Sequence, residues 1–190
     1  LKALKWRGRH EEVGELRPHS RLIGRRLILR RVKELARQIE QDYQGKHPLL
    51  LGALKGSFVF LADLVRQLRM PVEVDFIGAA SYGHRTASSG EVNIYHEPRL
   101  PIGGRHVILV EDIVDTGATL AQVVRYLQGK KPASLRICAL LRKMKPGQHE
   151  VEVHYLGFQV PDQFLVGYGL DCQEQFRHLP DIWTVKGVEP

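Results

Sequence analysis

A chain of 190 residues with 43% hydrophobic and 26% charged side chains has the usual mix of a folded globular domain, which excludes wholesale disorder and leaves too little length for two full-sized domains. No apolar run approaches the roughly 20 residues that cross a bilayer, and charges stand where a secretion signal needs an apolar stretch, so a cytoplasmic protein with no membrane partner is expected. The formal net charge of +7 suits either a nucleic-acid binder or an enzyme whose substrates are polyanions.

The basic residues crowd the first third, at Arg21, Arg25, Arg26, Arg30 and Arg31. From Val32 the apolar residues Val32, Leu35, Ala36 and Ile39 recur at helical spacing and stop before Gly45 and Pro48, which predicts an amphipathic helix with its arginines facing out. Short, nearly continuous apolar runs follow at 49–54, 72–79, 107–110 and 135–141. Runs apolar on both faces are the mark of strands in a buried parallel sheet. Helical patterns at 58–69 and 119–128 lie between them, each long enough for a crossover, so the order predicts an α/β fold. The stretch 81–104 breaks the rhythm with Gly, Ser, Thr and charge and a weak strand signal at 92–95, which predicts a projecting hairpin with a flexible tip. From Val151 onward, β-like pieces at 153–157, 164–168 and 182–185, broken by Pro161 and Pro180, predict a small cap rather than another crossover unit.

Chemistry concentrates after the run 107–110. In a parallel sheet, ligands sit beyond the carboxyl ends of the strands, and here that end carries Glu111 and Asp112. Asp115-Thr116-Gly117-Ala118-Thr119 follows and feeds a helix, so hydroxyls, backbone N–H groups and the positive end of a helix dipole gather where a phosphate can bind. Carboxylates for sugar hydroxyls and donors for a phosphate are thus within the span of a ribose 5-phosphate. Asp-Thr-Gly also occurs in aspartic proteases, but those need an all-β setting and a second such loop. Cys138 and Cys172 have neither the spacing nor the histidines of a zinc site, and no Walker A loop is present.

Residues 107–120 resemble the phosphoribosyl pyrophosphate signature of the type I phosphoribosyltransferases. The chain from about 27 to 185 resembles the hypoxanthine-guanine phosphoribosyltransferases: Leu54-Lys55-Gly56, Ser81-Tyr82, Lys143, and the run from Phe164 to Asp171 followed by Arg177 stand in that family's order and spacing. The resemblance implies the type I phosphoribosyltransferase fold, a mostly parallel central sheet flanked by helices in one domain over 1–190. Its core would span about 27–150, with a hood built from the N-terminal segment and about 151–190. It implies transfer of the phosphoribosyl group to N9 of hypoxanthine or guanine with release of pyrophosphate, assisted by Mg2+, in a homodimer or homotetramer.

By the same resemblance Glu111 and Asp112 hold the ribose hydroxyls, and Thr116, Gly117, Ala118 and Thr119 cradle the phosphate. Asp115 belongs to that cradle and also acts as general acid/base near N7, a role favouring a carboxylate whose pKa its neighbours raise. Lys55, Gly56, Ser81, Tyr82 and Arg177 meet pyrophosphate, and the bond between Leu54 and Lys55 can be cis in the family. Lys143 donates to O6 of the base, Phe164 stacks on it, Leu165 reads its edge, and Asp171, grouped with the base-binding set, also binds metal together with Glu111 and Asp112. The chain departs from the family at Gly78-Ala79-Ala80, at Arg142 and at Met144-Lys145-Pro146-Gly147. A xanthine-preferring enzyme, or a regulator on the same fold that binds nucleotide and nucleic acid, are the rival readings; the full acid and lysine set favours an enzyme, with nucleic acid not expected as a partner.

Overall fold

The structure, a computed structural model, describes residues 17–80, 93–147, 149 and 151–186. Its elements are β1 (Pro18–Ile23), α1 (Arg25–Asp42), β2 (Leu49–Leu54), α2 (Phe58–Gln67), β3 (Glu73–Ala80), β4 (Asn93–His96), β5 (His106–Val114), α3 (Ala118–Gly129), β6 (Ser134–Met144), β7 (Tyr155–Pro161), β8 (Leu165–Val166) and β9 (Ile182–Val185). The apolar runs lie side by side in a six-stranded sheet of order β4-β3-β2-β5-β6-β7. All its neighbours pair parallel except β4, which is antiparallel on β3.

Both faces of this sheet are covered, which is why its strands read as continuous apolar runs. Successive side chains point to opposite faces. Leu50, Ile108, Val110, Cys138 and Leu140 pack with α1 and α2, while Leu49, Leu51, Val107, Leu109 and Ile137 pack with α3. The β2 to β3 crossover runs through α2 and the β5 to β6 crossover through α3, on opposite sides of the β2/β5 pair. A crevice therefore opens where the carboxyl ends of β2 and β5 meet, the switch point at which α/β sheets bind ligands.

Helix α1 begins at Arg25 rather than Val32. In its first turns Ile28 is fully buried while Leu27 and Leu29 are 41% and 37% exposed, so no clean stripe marks the start. The expectation that its arginines all face out is corrected at Arg31. That side chain turns onto the edge of the sheet, where Nε and Nη2 donate to the carbonyls of Gly157 and Leu156 at 3.0 and 2.6 Å. The end of α1 is tied down similarly, by Tyr155 donating to Asp42 at 2.6 Å and Arg136 donating to the Tyr155 oxygen at 2.7 Å.

The C-terminal part divides differently from the cap expected. Tyr155–Pro161 is a strand of the main sheet, paired parallel with β6 from Cys138↔Tyr155 to Met144↔Pro161, and Tyr155 and Val160 are buried in the main core. The later pieces form a second, antiparallel sheet of order β1-β9-β8, in which Pro18 lies opposite Val185. Strands β3 and β4 are antiparallel neighbours, as a hairpin requires; its tip, with Ser81 and Tyr82, lies outside the described residues. Among the described residues no helix is long and apolar enough to cross a membrane.

Candidate active site

Strand β5 runs on through the acidic pair to Val114, so Glu111 is a ladder residue opposite Ala139 rather than part of a loop. Burial raises the pKa of Glu111 well above the usual carboxylate range, and the neighbouring charge of Asp112 adds to it. Asp112 is pushed up to about 6, chiefly by burial, against backbone hydrogen bonds and the attraction of Arg177. Beside it runs the turn after β2, whose Leu54–Lys55 bond is cis. A Cβ at Gly56 would lie 1.7 Å from Asp112 Oδ2, so only a glycine lets this turn pass the carboxylate.

After β5 the chain turns through Asp115 and Thr116 into Gly117, which caps α3 with a φ of +78°, where an L side chain is disfavoured. Ala118 and Thr119 already belong to the first turn, and the Ala118 N–H donates to Thr116 Oγ1 at 3.3 Å. A cavity of about 240 Å³ opens on this helix end, lined by Leu54, Glu111, Asp115, Thr116, Gly117 and Thr119 among others. The first N–H groups of a helix have no partner within it and attract anions. The cavity therefore joins an anion-binding end to an acidic wall.

On the other side of the Lys55-Gly56 turn stand four charged groups from distant parts of the chain. Lys55 Nζ is 2.9 Å from Glu174, and Arg177 Nη2 lies 2.7 Å from Asp171 and 3.3 Å from Glu174. Arg177 also donates to the Gly169 carbonyl at 2.8 Å, and the Glu174 N–H to Asp171 at 2.8 Å. At the opposite end, Lys143, only 5% exposed, reaches Asp115 at 3.0 Å and Asp162 at 3.2 Å. Lys145 hydrogen-bonds Asp115 and stands 3.6 Å from Asp162. Phe164 packs with Phe176, Leu179 and Trp183 against a small cluster of Val166, Cys172 and Val185, while its carbonyl accepts from the Val185 N–H at 3.1 Å; Leu165 is buried in β8.

A family model described as a phosphoribosyl transferase domain matches residues 22–173. The chain is 45% identical over 163 residues to the hypoxanthine-guanine phosphoribosyltransferase of Dictyostelium discoideum, covering 84% of this chain and 91% of that protein. The chain belongs to the hypoxanthine-guanine phosphoribosyltransferase family. The like-named protein of Bacillus subtilis is 40% identical over 165 residues, 87% of this chain and 92% of its own length. The crystal structure of a hypoxanthine-guanine phosphoribosyltransferase from Bacillus anthracis superposes with a TM-score of 0.84 at 41% identity, covering 90% of this chain and 99% of that one. A hypoxanthine phosphoribosyltransferase from Staphylococcus aureus gives 0.84 at 39% identity over 89% and 92%.

In this hypoxanthine-guanine phosphoribosyltransferase family member, two expectations about the site need correction. Asp115 was expected to have neighbours that raise its pKa; burial does push that way, but hydrogen bonds from Lys145 and Lys143 outweigh it and hold the carboxyl below its ordinary value. The apolar run 135–141 is part of a longer strand: β6 extends through Met144, where it pairs with β7, so Lys143 lies on the strand. Glu174, Gly169, Lys145 and Asp162 were missed. Lys145 carried a signal in the atypical segment Met144-Lys145-Pro146-Gly147, and Gly169 lies within the run from Phe164 to Asp171; Glu174 and Asp162 matter through contacts that no short stretch of sequence contains.

Glu111, Asp112 and Asp171 offer carboxylate oxygens, the hard donors that Mg2+ takes. Among the described residues, however, no three His, Cys, Asp or Glu side chains converge as a metal cage. Mg2+ keeps several waters and is commonly held by one or two carboxylates plus substrate phosphates. The donor set fits an ion that arrives with a polyphosphate.

Proposed function

We propose that this chain transfers the 5-phosphoribosyl group from phosphoribosyl pyrophosphate to N9 of hypoxanthine or guanine, yielding IMP or GMP and pyrophosphate for purine salvage. The observation that carries the reading is the buried Lys143 paired with Asp115, which itself lines a cavity opening on the N-terminus of α3. A cation at the base end selects a purine with an oxygen at position 6, and the helix end takes the 5-phosphate. The curated relatives bear the same activity in their names.

Thr116, Gly117, Ala118 and Thr119 bind the 5-phosphate, and Glu111 and Asp112 orient the ribose hydroxyls. Lys55, Gly56 and Arg177 receive pyrophosphate, joined by Ser81 and Tyr82. The C1′ to pyrophosphate bond breaks with its electron pair leaving on oxygen, and the N9 lone pair of the purine forms the new bond. Asp115 then takes the N7 proton of the purine, which restores a neutral ring; its paired lysines support this by keeping it ionised before the base binds. Asp112 and Asp171, with help from Glu111, would hold Mg2+, which would supply charge neutralisation for the departing phosphates. Phe164 and Leu165 hold the base. The whole chain works as one domain in the cytoplasm, as a homodimer or homotetramer.

Incubation with phosphoribosyl pyrophosphate, Mg2+ and, separately, hypoxanthine, guanine, xanthine and adenine tests this. Nucleotide should form with hypoxanthine and guanine and not with adenine. Failure with both would overturn the reading, and preference for xanthine would reassign the base.

A further inference from the structure

We infer that Lys145 is a positioning residue for base binding: it is the resident counter-ion of Asp115 and Asp162, and so releases Lys143 to the purine oxygen. The inference rests on the reading of Lys143 and Asp115 given above. Two lysines and two aspartates alternate around one ring at the ends of β5, β6 and β7. Lys143 lies 3.0 Å from Asp115 Oδ2 and 3.2 Å from Asp162 Oδ1, while Lys145 binds the other oxygen of Asp115, Oδ1, and lies 3.6 Å from Asp162 Oδ1. The ring is partly closed off from water, with side-chain exposures of 6% for Lys143 and 19% for Lys145.

The placement follows from strand geometry. Residues 143 and 145 are two apart at the end of β6, so they point the same way, whereas Met144 between them is 57% exposed. Met144 pairs with Pro161, which sets Asp162 beside the two lysines. Nothing in residues 143–145 by themselves would bring that carboxylate there.

A lysine has three donors and no acceptor, and Lys143 already turns its ammonium to Asp115 and Asp162, so O6 of a base must take the remaining N–H or draw the ammonium away from a carboxylate. Drawing Lys143 toward the base weakens its hold on both aspartates, in a site where charges are poorly hydrated. Lys145 removes that conflict. It remains on Oδ1 of Asp115, and the departure of Lys143 opens Oδ2, the oxygen that then accepts the N7 proton. The same contacts lower the Asp115 pKa and raise that of Lys145. Among the described residues, the charged groups around Asp115 are Lys143 and Lys145 from the end of β6, with Asp162 from the end of β7 on the far side of both lysines.

The test compares the full-length wild type with Lys145→Met and Lys145→Arg, by steady-state kinetics and by ¹³C NMR titration of the Asp115 carboxyl. Loss of a charge-assisted hydrogen bond predicts a rise of about tenfold in KM for hypoxanthine in Lys145→Met, with the KM for phosphoribosyl pyrophosphate changed less than about twofold. Removing a cation raises the Asp115 pKa, so the acid limb of kcat/KM and the NMR midpoint both move to higher pH. Lys145→Arg restores both. An unmoved hypoxanthine KM with an unmoved Asp115 midpoint, or an equal rise in both KM values, overturns the inference. Should the wild type use no purine at all, the function falls, and the NMR midpoint alone decides: a shift restored by arginine upholds the counter-ion role, and no shift refutes it.

Discussion

Gly169 is pressed against the peptide of Gly56: a Cβ at 169 would stand 2.1 Å from the Gly56 carbonyl oxygen, on a backbone with φ of +102°. The turn at 167–170 thereby rests on the turn that follows β2, and Tyr168 reinforces it by donating to Asp63 on α2 at 2.6 Å. Gly56 in turn lies against Asp112. The second sheet and the main sheet are thus coupled through two glycines at the point where the donor is to bind.

Gly169→Ala should therefore cost stability twice over, by the positive φ and by collision. Gly45 has a φ of +71° with nothing within 4 Å of its missing Cβ, so Gly45→Ala isolates the backbone contribution, about 1 kcal/mol. The loss at 169 should exceed it by a further 1–3 kcal/mol or so, read as the difference in unfolding free energy in urea. Equal losses would mean that the loop yields without strain.

Glu174 bridges Lys55 and Arg177, the two cations assigned to pyrophosphate. It occupies them as an internal anion that pyrophosphate must displace. Glu174→Gln removes that competitor, so pyrophosphate should inhibit more tightly, by about two- to fivefold, the modest size expected of exposed ion pairs. A product-inhibition assay at fixed ionic strength measures it; weaker inhibition would show that Glu174 orients the cations instead.

Roles at the base end separate by kinetics. Asp115→Asn should lower kcat by about 10²- to 10⁴-fold, the usual contribution of a general acid/base, while calorimetry shows phosphoribosyl pyrophosphate still bound. Lys143→Ala should act mainly on KM for the base. Equal losses of donor affinity in both variants would contradict the assignment.

Asp42 supplies a pH-dependent stability test away from the site. The hydrogen bond from Tyr155, aided by Arg136 and Lys46 against a burial effect of opposite sign, holds the carboxyl below its ordinary value. A depressed folded-state pKa gives stability that is present above the unfolded value, near 4, and lost as pH falls through the folded value. Because both Asp42 and Arg136 are substantially exposed, Asp42→Asn should cost only about 0.5–1 kcal/mol at pH 7. The gap from wild type should close as pH falls through the lowered folded-state value. A gap that persists at low pH would point to a packing defect.

The α/β class, the parallel strands and the stretch Glu111 to Thr119 are written locally, because burial on both faces leaves continuous apolar runs and a phosphate cradle needs only one strand end, one turn and one helix start. Where a local pattern is ambiguous the reading stops short. The β7 run, with Gly157 and Gln159 among apolar residues, resembles an isolated β piece as much as a sheet strand, and the first turns of α1 show apolar residues on several sides.

What the sequence alone determined is therefore a buried strand ending in two acids before a turn and a helix start and, through the order of Lys55, Lys143, Asp171 and Arg177, the family. Only the tertiary structure decided who neutralises whom. Lys55 and Glu174 are 119 positions apart and Lys143 and Asp115 are 28 apart; their pairing depends on strand order and register, set by the packing of two layers of helices on the sheet. The sign of the Asp115 pKa shift belongs to that second class, since Lys143 and Lys145 reach the carboxylate only because β6 pairs with β5.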